Sequence, residues 1–216
     1  VHDFYNEVML PALQMAERDR HADRLSEEQE TIVNESAREL VEQLGERLKE
    51  EAESAATPRA SEFPLSKCTG KILCVPVRDQ ADETVALMAG QLLRSAGCHV
   101  DVESIDTLAG ELLNKLEHQD YQTAVLTMLP PLGARKGRYL CKRLRTKFPH
   151  LNIIIALMNG AKLKRSQQRL RDVGADEIAT NLPELVQVAR QTRFNIAKTP
   201  RQPVPHEEAA PQTAGS

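Results

Sequence analysis

The chain has 216 residues, with 31 acids against 28 Lys and Arg, a net charge of -3, no Trp and only 3% aromatic residues. A chain of this length supports one or two domains, and with so few rings its core must be aliphatic. A negative balance without stacking aromatics argues against nucleic acid as a partner, and no apolar run reaches the roughly 18 residues of a membrane helix. The four cysteines, Cys68, Cys74, Cys98 and Cys141, lack the short spacing of a metal knuckle and are expected to be free thiols rather than a disulfide framework. The sequence opens at Val1 with an amphipathic pattern already under way, so it is expected to be a piece of a longer protein.

Residues 1–54 are expected to be a helical cap. The first helix carries Pro11, which either kinks it or sits in its first turn. Ser26 to Gln29 reads as a capping box for a second helix. That helix is expected to bury Ile32, Val33, Ala37, Leu40, Val41, Leu44 and Leu48 as one stripe. Between Glu17 and Glu53 thirteen acids face six Lys or Arg, which makes the other face acidic. Two such helices cannot bury themselves; they need the following domain, further helices upstream or a second copy. Residues 55–69 are Pro- and Ser-rich and read as a linker. Residues 196–216, with four prolines after Lys198, read as a disordered tail.

From residue 70 to 195 the pattern alternates strand and helix. Strands are expected at 71–77, 99–103, 123–129, 151–158 and 176–180. Helices are expected at 81–96, 107–116, 134–148, 163–173 and 183–192, with Gly97 and Gly174 as stops. This predicts a flavodoxin-like doubly wound α/β fold: five parallel strands in the order 2-1-3-4-5 with helices on both faces. Ligands of such sheets sit beyond the carboxyl ends of the strands. Here that rim contains Asp79, Gln80, Asp82, Glu83, Ser104, Thr127, Leu129, Asn159 and Gly160, the candidate site for a small ligand.

The rim excludes two relatives of this architecture. A phosphoacceptor receiver needs an Asp at the end of the third strand, where Thr127-Met128-Leu129-Pro130-Pro131 stands. A flavodoxin needs a phosphate-cradling loop after the first strand, and Val77-Arg78-Asp79-Gln80-Ala81-Asp82 has no glycine and two acids.

The chain does resemble the cobalamin-binding domains. Leu93 to Val100 (LRSAGCHV) looks like the helix-to-strand turn that follows that family's D-x-H-x-x-G loop. Thr127-Met128-Leu129 falls at its S-x-L motif, which lines the tunnel for the nucleotide tail. Phe4 to Leu13 and the capped second helix look like the helical cap that precedes such domains. The resemblance implies a cobalamin site, but its ligands are replaced. The loop motif falls on Gln80, Ala81, Asp82, Glu83, Thr84 and Val85, so Asp82 stands for the metal-binding His and Gln80 for its supporting Asp. A carboxylate is a harder and weaker ligand for this role than an imidazole. In the cap, Glu30-Thr31 falls where photosensory relatives have a Glu-His pair, and their Trp has no counterpart. The expectation is that no cofactor is needed, with cobalamin held without a His lower ligand as the alternative.

A narrower resemblance joins YNEV-x-LPAL near the start, the acidic capped helix and Leu132 to Arg145 (LGARKGRYLCKRLR). These are similar to the cytosolic C-terminal region of bacterial autoinducer-exporter-type permeases. It implies a transporter domain upstream and a place on the cytosolic side of the inner membrane. Within 134–148, Tyr139, Leu140 and Leu144 are expected to face the sheet. Arg135, Lys136, Arg138, Lys142 and Arg143 are expected to face outward as a partner surface. Such a surface suits an acidic partner or anionic lipid headgroups, most economically the acidic cap helix of the same or a neighbouring chain; the partner would be the chain's own membrane domain or a neighbouring chain in a homo-oligomer. The six histidines have no ligand spacing, so no metal site is expected, and no serine has a triad context. The expectation is a non-enzymatic regulatory, sensory or interaction module.

Overall fold

The computed structural model describes residues 1–54, 70–130 and 134–191. The linker expected at 55–69 and the tail at 196–216 lie outside them. The N-terminal segment comprises α1 (His2–Phe4), a π-turn (Tyr5–Met9), α2 (Leu10–His21) and α3 (Glu27–Ser54). Then follow β1 (Lys71–Pro76), α4 (Gln80–Ser95), β2 (His99–Val102), α5 (Ala109–His118) and β3 (Tyr121–Met128). The chain continues through α6 (Ala134–Lys147), β4 (Asn152–Leu157), α7 (Lys164–Asp172), β5 (Glu177–Ala179) and α8 (Leu182–Gln191). The five strands are all parallel and pair in the order β2-β1-β3-β4-β5. This is the expected flavodoxin-like sheet, with element ends within two residues of the sequence reading.

Local chemistry explains most boundaries. Pro11 has no N–H to return to Glu7, and the helix accommodates it one turn earlier: the Leu10 N–H reaches the Tyr5 carbonyl, five residues back, in the π-turn. Ser26 and Gln29 exchange the two bonds of a capping box, at 3.0 and 3.3 Å. Gly97 ends α4 at a φ of 83°, and the Cys98 N–H returns to Leu93 O at 3.0 Å, a Schellman closure.

The sheet is covered on both faces. Leu112, Leu113 and Leu116 of α5, Cys141 and Leu144 of α6 and Leu170 of α7 form one apolar layer. On the other face α4 and α8 cover the sheet. The N-terminal segment then packs over these helices as a further layer, through Tyr5, Met9, Leu10, Leu13 and Val41. The α/β domain is thus what buries the two N-terminal helices. Helix α4 is consequently apolar on two sides, with Val85, Ala86, Met88, Ala89, Leu92 and Leu93 all buried. No described helix is long and apolar enough to cross a membrane.

Three expectations need correction. Ile32 is 61% and Leu40 38% exposed and fall outside the inward stripe of α3, whereas Val41 is buried and Ala37 and Leu44 pack against the core as expected. Asn34, Val41 and Gly45 are its buried positions, because α3 meets α4 at close range where small and polar groups fit. Tyr139 is 66% exposed and does not face the sheet; Gly137, Cys141 and Leu144 do, which rotates Tyr139 onto the basic side of α6. Finally, Cys98 is disulfide-bonded, whereas Cys74 and Cys141 are free. Burial pushes the Cys74 thiol up to about 12.

The α3–α4 contact depends on a polar pin. Gln91 of α4 donates to the Val41 carbonyl at 2.9 Å and accepts from the Tyr5 hydroxyl. Gly45 makes room for it: a Cβ there would lie 2.2 Å from Gln91 Nε2. Gly45→Ala gains about 1 kcal/mol of helix propensity but displaces a side chain with two hydrogen bonds, at about 1 kcal/mol each, with overpacking in addition. We expect Gly45→Ala to destabilise by about 1–2 kcal/mol in urea denaturation, and Gln91→Ala in the same chain to remove most of that penalty.

Candidate functional site

The rim residues on either side of β1 and β3 come together because of register. Pro76 closes β1 opposite Thr127 of β3, and α4 starts four residues later, so its first turn lies over the end of β3. The Asp79 carboxylate caps this helix by accepting from the Asp82 N–H at 3.2 Å, a position where negative charge is also favoured. Gln80, exposed, opens the helix, and its carbonyl accepts from the Thr84 hydroxyl at 3.0 Å.

Asp82 is 0% exposed. Its Oδ1 accepts from the Leu129 N–H at 2.7 Å, and its main-chain carbonyl accepts from the Thr127 hydroxyl at 2.9 Å. Its Oδ2 has no hydrogen-bond partner among the described residues. Burial pushes its acidity from 3.8 up to about 8, with the charge of Asp79 adding to the effect; the Leu129 N–H and the Arg78 charge act against it. At neutral pH the group is therefore a protonated carboxylic acid, which resolves the cost of an unpartnered buried charge. Glu83, also buried, receives Arg38 of α3 at 3.3 Å and the Ile105 N–H at 3.4 Å.

The remaining expected rim residues do not join this cluster. Ser104 is exposed and its hydroxyl accepts from the Asp106 N–H at 3.3 Å. Asn159, at a φ of 55°, is exposed and donates its N–H to Thr180 O at 2.8 Å. Gly160 is buried; a Cβ there would lie 2.7 Å from the Leu157 carbonyl.

The most consequential partners come from the N-terminal segment. Glu17, almost fully buried, accepts from Arg20 at 2.6 and 3.1 Å and also from Arg78. Arg78 pairs in addition with Asp79 and lies 3.0 Å from the His21 ring. Arg20 extends the network in both directions, at 2.9 Å from Asp79 and 3.2 Å from Glu30. Burial opposes the charge on Glu17, but the hydrogen bonds and charges of Arg20 and Arg78 prevail and hold its carboxyl below the usual range. The spacing of Glu17, Arg20 and His21 on one helical face was the only sequence signal of this network.

The five expected partner-surface residues of α6, Arg135, Lys136, Arg138, Lys142 and Arg143, make no ion pair among the described residues, and all but the half-buried Arg143 are exposed. Arg145 differs: it donates to the Gly174 and Leu151 carbonyls and pairs with Asp176. No group of three or more His, Cys, Asp or Glu among the described residues could hold a metal ion.

No family model matches the chain, and no curated protein matches it. Among solved structures it is similar to the monomethylamine corrinoid protein of Methanosarcina barkeri, at 14% identity and a TM-score of 0.60, over 85% of this chain and 80% of that one. The fold is that of a corrinoid-binding protein. A cobalamin-binding protein from Desulfitobacterium hafniense aligns over 85% of this chain and 96% of its own at 15% identity, with a TM-score of 0.47. The chemotaxis protein CheY4 of Vibrio cholerae covers 56% of this chain and 97% of its own at 17% identity, with a TM-score of 0.38.

The residues present do not fit a corrinoid. Asp82, which the resemblance sets at the place of the metal-binding His, is sealed against Leu129 and Thr127 within the first turn of α4. Glu30 of α3 and Asp79 at the start of α4 are bridged by the single guanidinium of Arg20.

Two outcomes follow. The unfolded chain releases the Asp82 proton near pH 3.8, and the folded chain keeps it to about pH 8. The stability tied to this proton is therefore fully present below pH 3.8 and declines through that window, by up to about 1.4 kcal/mol per pH unit. Asp82→Asn should be no more stable than the wild type at pH 5, gain on it as the pH rises and exceed it at pH 8, as read by urea midpoints. For Glu17, held below its ordinary range, the contribution is present at neutral pH and lost as the pH falls through its folded value. Glu17→Gln removes the acid that Arg20 and Arg78 share but leaves both their contact with Asp79, and should cost about 2 kcal/mol at pH 7. Hydrogen exchange should show lost protection in α2, and the deficit should shrink in strong acid.

Proposed function

We infer that this chain is a non-enzymatic regulatory or interaction module that keeps the corrinoid-binding fold without using it to hold a corrinoid. The observation that supports this most directly is the Arg20 bridge between Glu30 and Asp79. It replaces the gap between cap and rim with ion pairs inside one chain. The buried, neutral Asp82 supports the same reading, because a protonated carboxyl is a poor ligand for a metal. Nor do the rim residues offer a paired acid and base beside a nucleophile: Asp82 and Glu83 are committed to main-chain N–H groups and to Arg38.

What the module does is bring the N-terminal helices and the rim under one set of contacts. A partner or small molecule that displaces Arg20 or Arg38 would release both at once. The likeness of residues 4–13 and 132–145 to exporter-type permease tails supports attachment to an upstream transporter, on the cytosolic side of the inner membrane. In that setting the coupled cap would report on the transporter or on its neighbours.

The test is direct. The full chain is incubated with hydroxocobalamin or adenosylcobalamin, desalted and scanned in the visible. We expect no stoichiometric corrinoid absorbance. A stoichiometric band would overturn the reading in favour of a sensor that holds cobalamin without a histidine ligand.

A further inference from the structure

The second unusual feature lies on the opposite face of the sheet. Between Asp120 and Asp172 the sequence has twelve Lys and Arg and not one acid. The fold gathers most of these on two neighbouring helices. Helices α6 and α7 follow successive strands, β3 and β4, and lie side by side over the same face. On α6 the basic residues at 135, 138 and 142 run along the side opposite the buried Gly137, Cys141 and Leu144. Exposed Lys162, Lys164, Arg165, Arg169 and Arg171 extend the surface across α7. Together with the five of α6 they make ten cations without an ion pair among the described residues. Arg145 and Lys147 are the two that are paired, with Asp176 and Glu117.

The acids outside the described residues are too few to neutralise these ten cations. The segments outside the described residues carry three acids, Glu62, Glu207 and Glu208, against five Lys or Arg. The acids of α3 are on the far side of the sheet, in the layer over α4. The protein is therefore electrically two-sided: exposed Glu28, Glu35, Glu39 and Glu46 on one side and the α6–α7 cations on the other. Its small net charge conceals this.

We propose that the α6–α7 face docks on an anionic lipid surface. The face is built from the outer sides of two helices. Among the described residues its exposed large apolar side chains are Tyr139, in the middle of the basic stripe of α6, and Leu163, 39% exposed, at the start of α7. A protein partner would have to desolvate the cations, and protein interfaces are depleted of charge at their centres. A headgroup layer attracts the cations while leaving them hydrated. Tyrosine is the side chain that favours such a boundary, with its ring toward the apolar side and its hydroxyl in water. The acidic α3 face is repelled by the same surface, so the orientation is unique. A nucleic acid would need stacking side chains, and Tyr139 is the one exposed aromatic here. The proposal does not depend on whether the chain holds a corrinoid, so the two tests can fail separately.

The experiment is sedimentation of the full chain with vesicles of equal parts phosphatidylglycerol and phosphatidylcholine, and with phosphatidylcholine alone. We expect binding to the anionic vesicles only, at about 0.1 M salt, and its loss near 1 M, where the screening length falls from about 10 to about 3 Å. Arg138→Glu with Lys142→Glu, and separately Arg165→Glu with Arg169→Glu, should each lower the partition coefficient by roughly 25-fold or more, at about fivefold per basic residue removed. All four side chains are exposed and unpaired, so circular dichroism should be unchanged. Equal binding to both vesicle types, no binding at low salt, or variants that bind as well as the wild type would overturn the proposal. So would self-association of the wild type that the α6 variant abolishes and vesicles do not compete, which would make a second copy the occupant. Retention on duplex DNA without vesicle binding would overturn it in favour of nucleic acid.

Discussion

The constraint on which the rest of this fold depends is the double burial of α4. In an open α/β sheet a helix of this kind covers one face and shows its other side to water. Here the outer side of α4 is covered again, by the π-turn, α2 and α3. That second contact decides the register between the N-terminal segment and the rim. It sets Glu17 and Arg20 beside Arg78 and Asp79, and Arg38 beside Glu83. The polar network is thus a consequence of apolar packing along the helix, which supplies the larger share of the free energy.

This dependence also explains Asp82. The first turn of a helix held from both sides cannot swing away from the strand ends. A side chain at its third position faces the Leu129 N–H whatever its ionisation costs. The protein accommodates the acid by leaving it protonated. A carboxyl that is neutral at pH 7 often marks a catalytic or switching role; here one oxygen is satisfied by the Leu129 N–H and the carbonyl of the same residue by the Thr127 hydroxyl.

Much of this was legible in the sequence, for identifiable reasons. Alternating strands and helices, the stops at Gly97 and Gly174 and the Ser26–Gln29 box are local signals, set within a few residues, and they survived folding. So did the outward face of α6, because a run of bases without acids has no other stable place. The failures have a common cause. Ile32 and Leu40 are apolar but exposed, and Tyr139 is a ring on a charged face; each depends on how a helix is rotated by its neighbours, which periodicity alone does not determine. The Arg20–Asp79 and Arg38–Glu83 pairs join residues 59 and 45 positions apart, and no spacing rule reaches that far. The departures from the cobalamin motif could be read from Gln80 and Asp82. That Arg20 joins Glu30 to Asp79 required the three-dimensional arrangement.

The Arg20 bridge bears on what a single substitution at the rim could achieve. Asp82→His would put an imidazole at the position where the resemblance sets the metal-binding one. It would change nothing else. The new ring would lie in a fully enclosed place beside Thr127, while Arg20 still tied Glu30 to Asp79. A ligand entering between α2 and the first turn of α4 would have to break the Arg20 bridge and the Glu17–Arg78 contact together, and each loss would weaken the docking of the N-terminal helices before the ligand could repay it. The ion network therefore acts as a latch: it resists being opened one contact at a time.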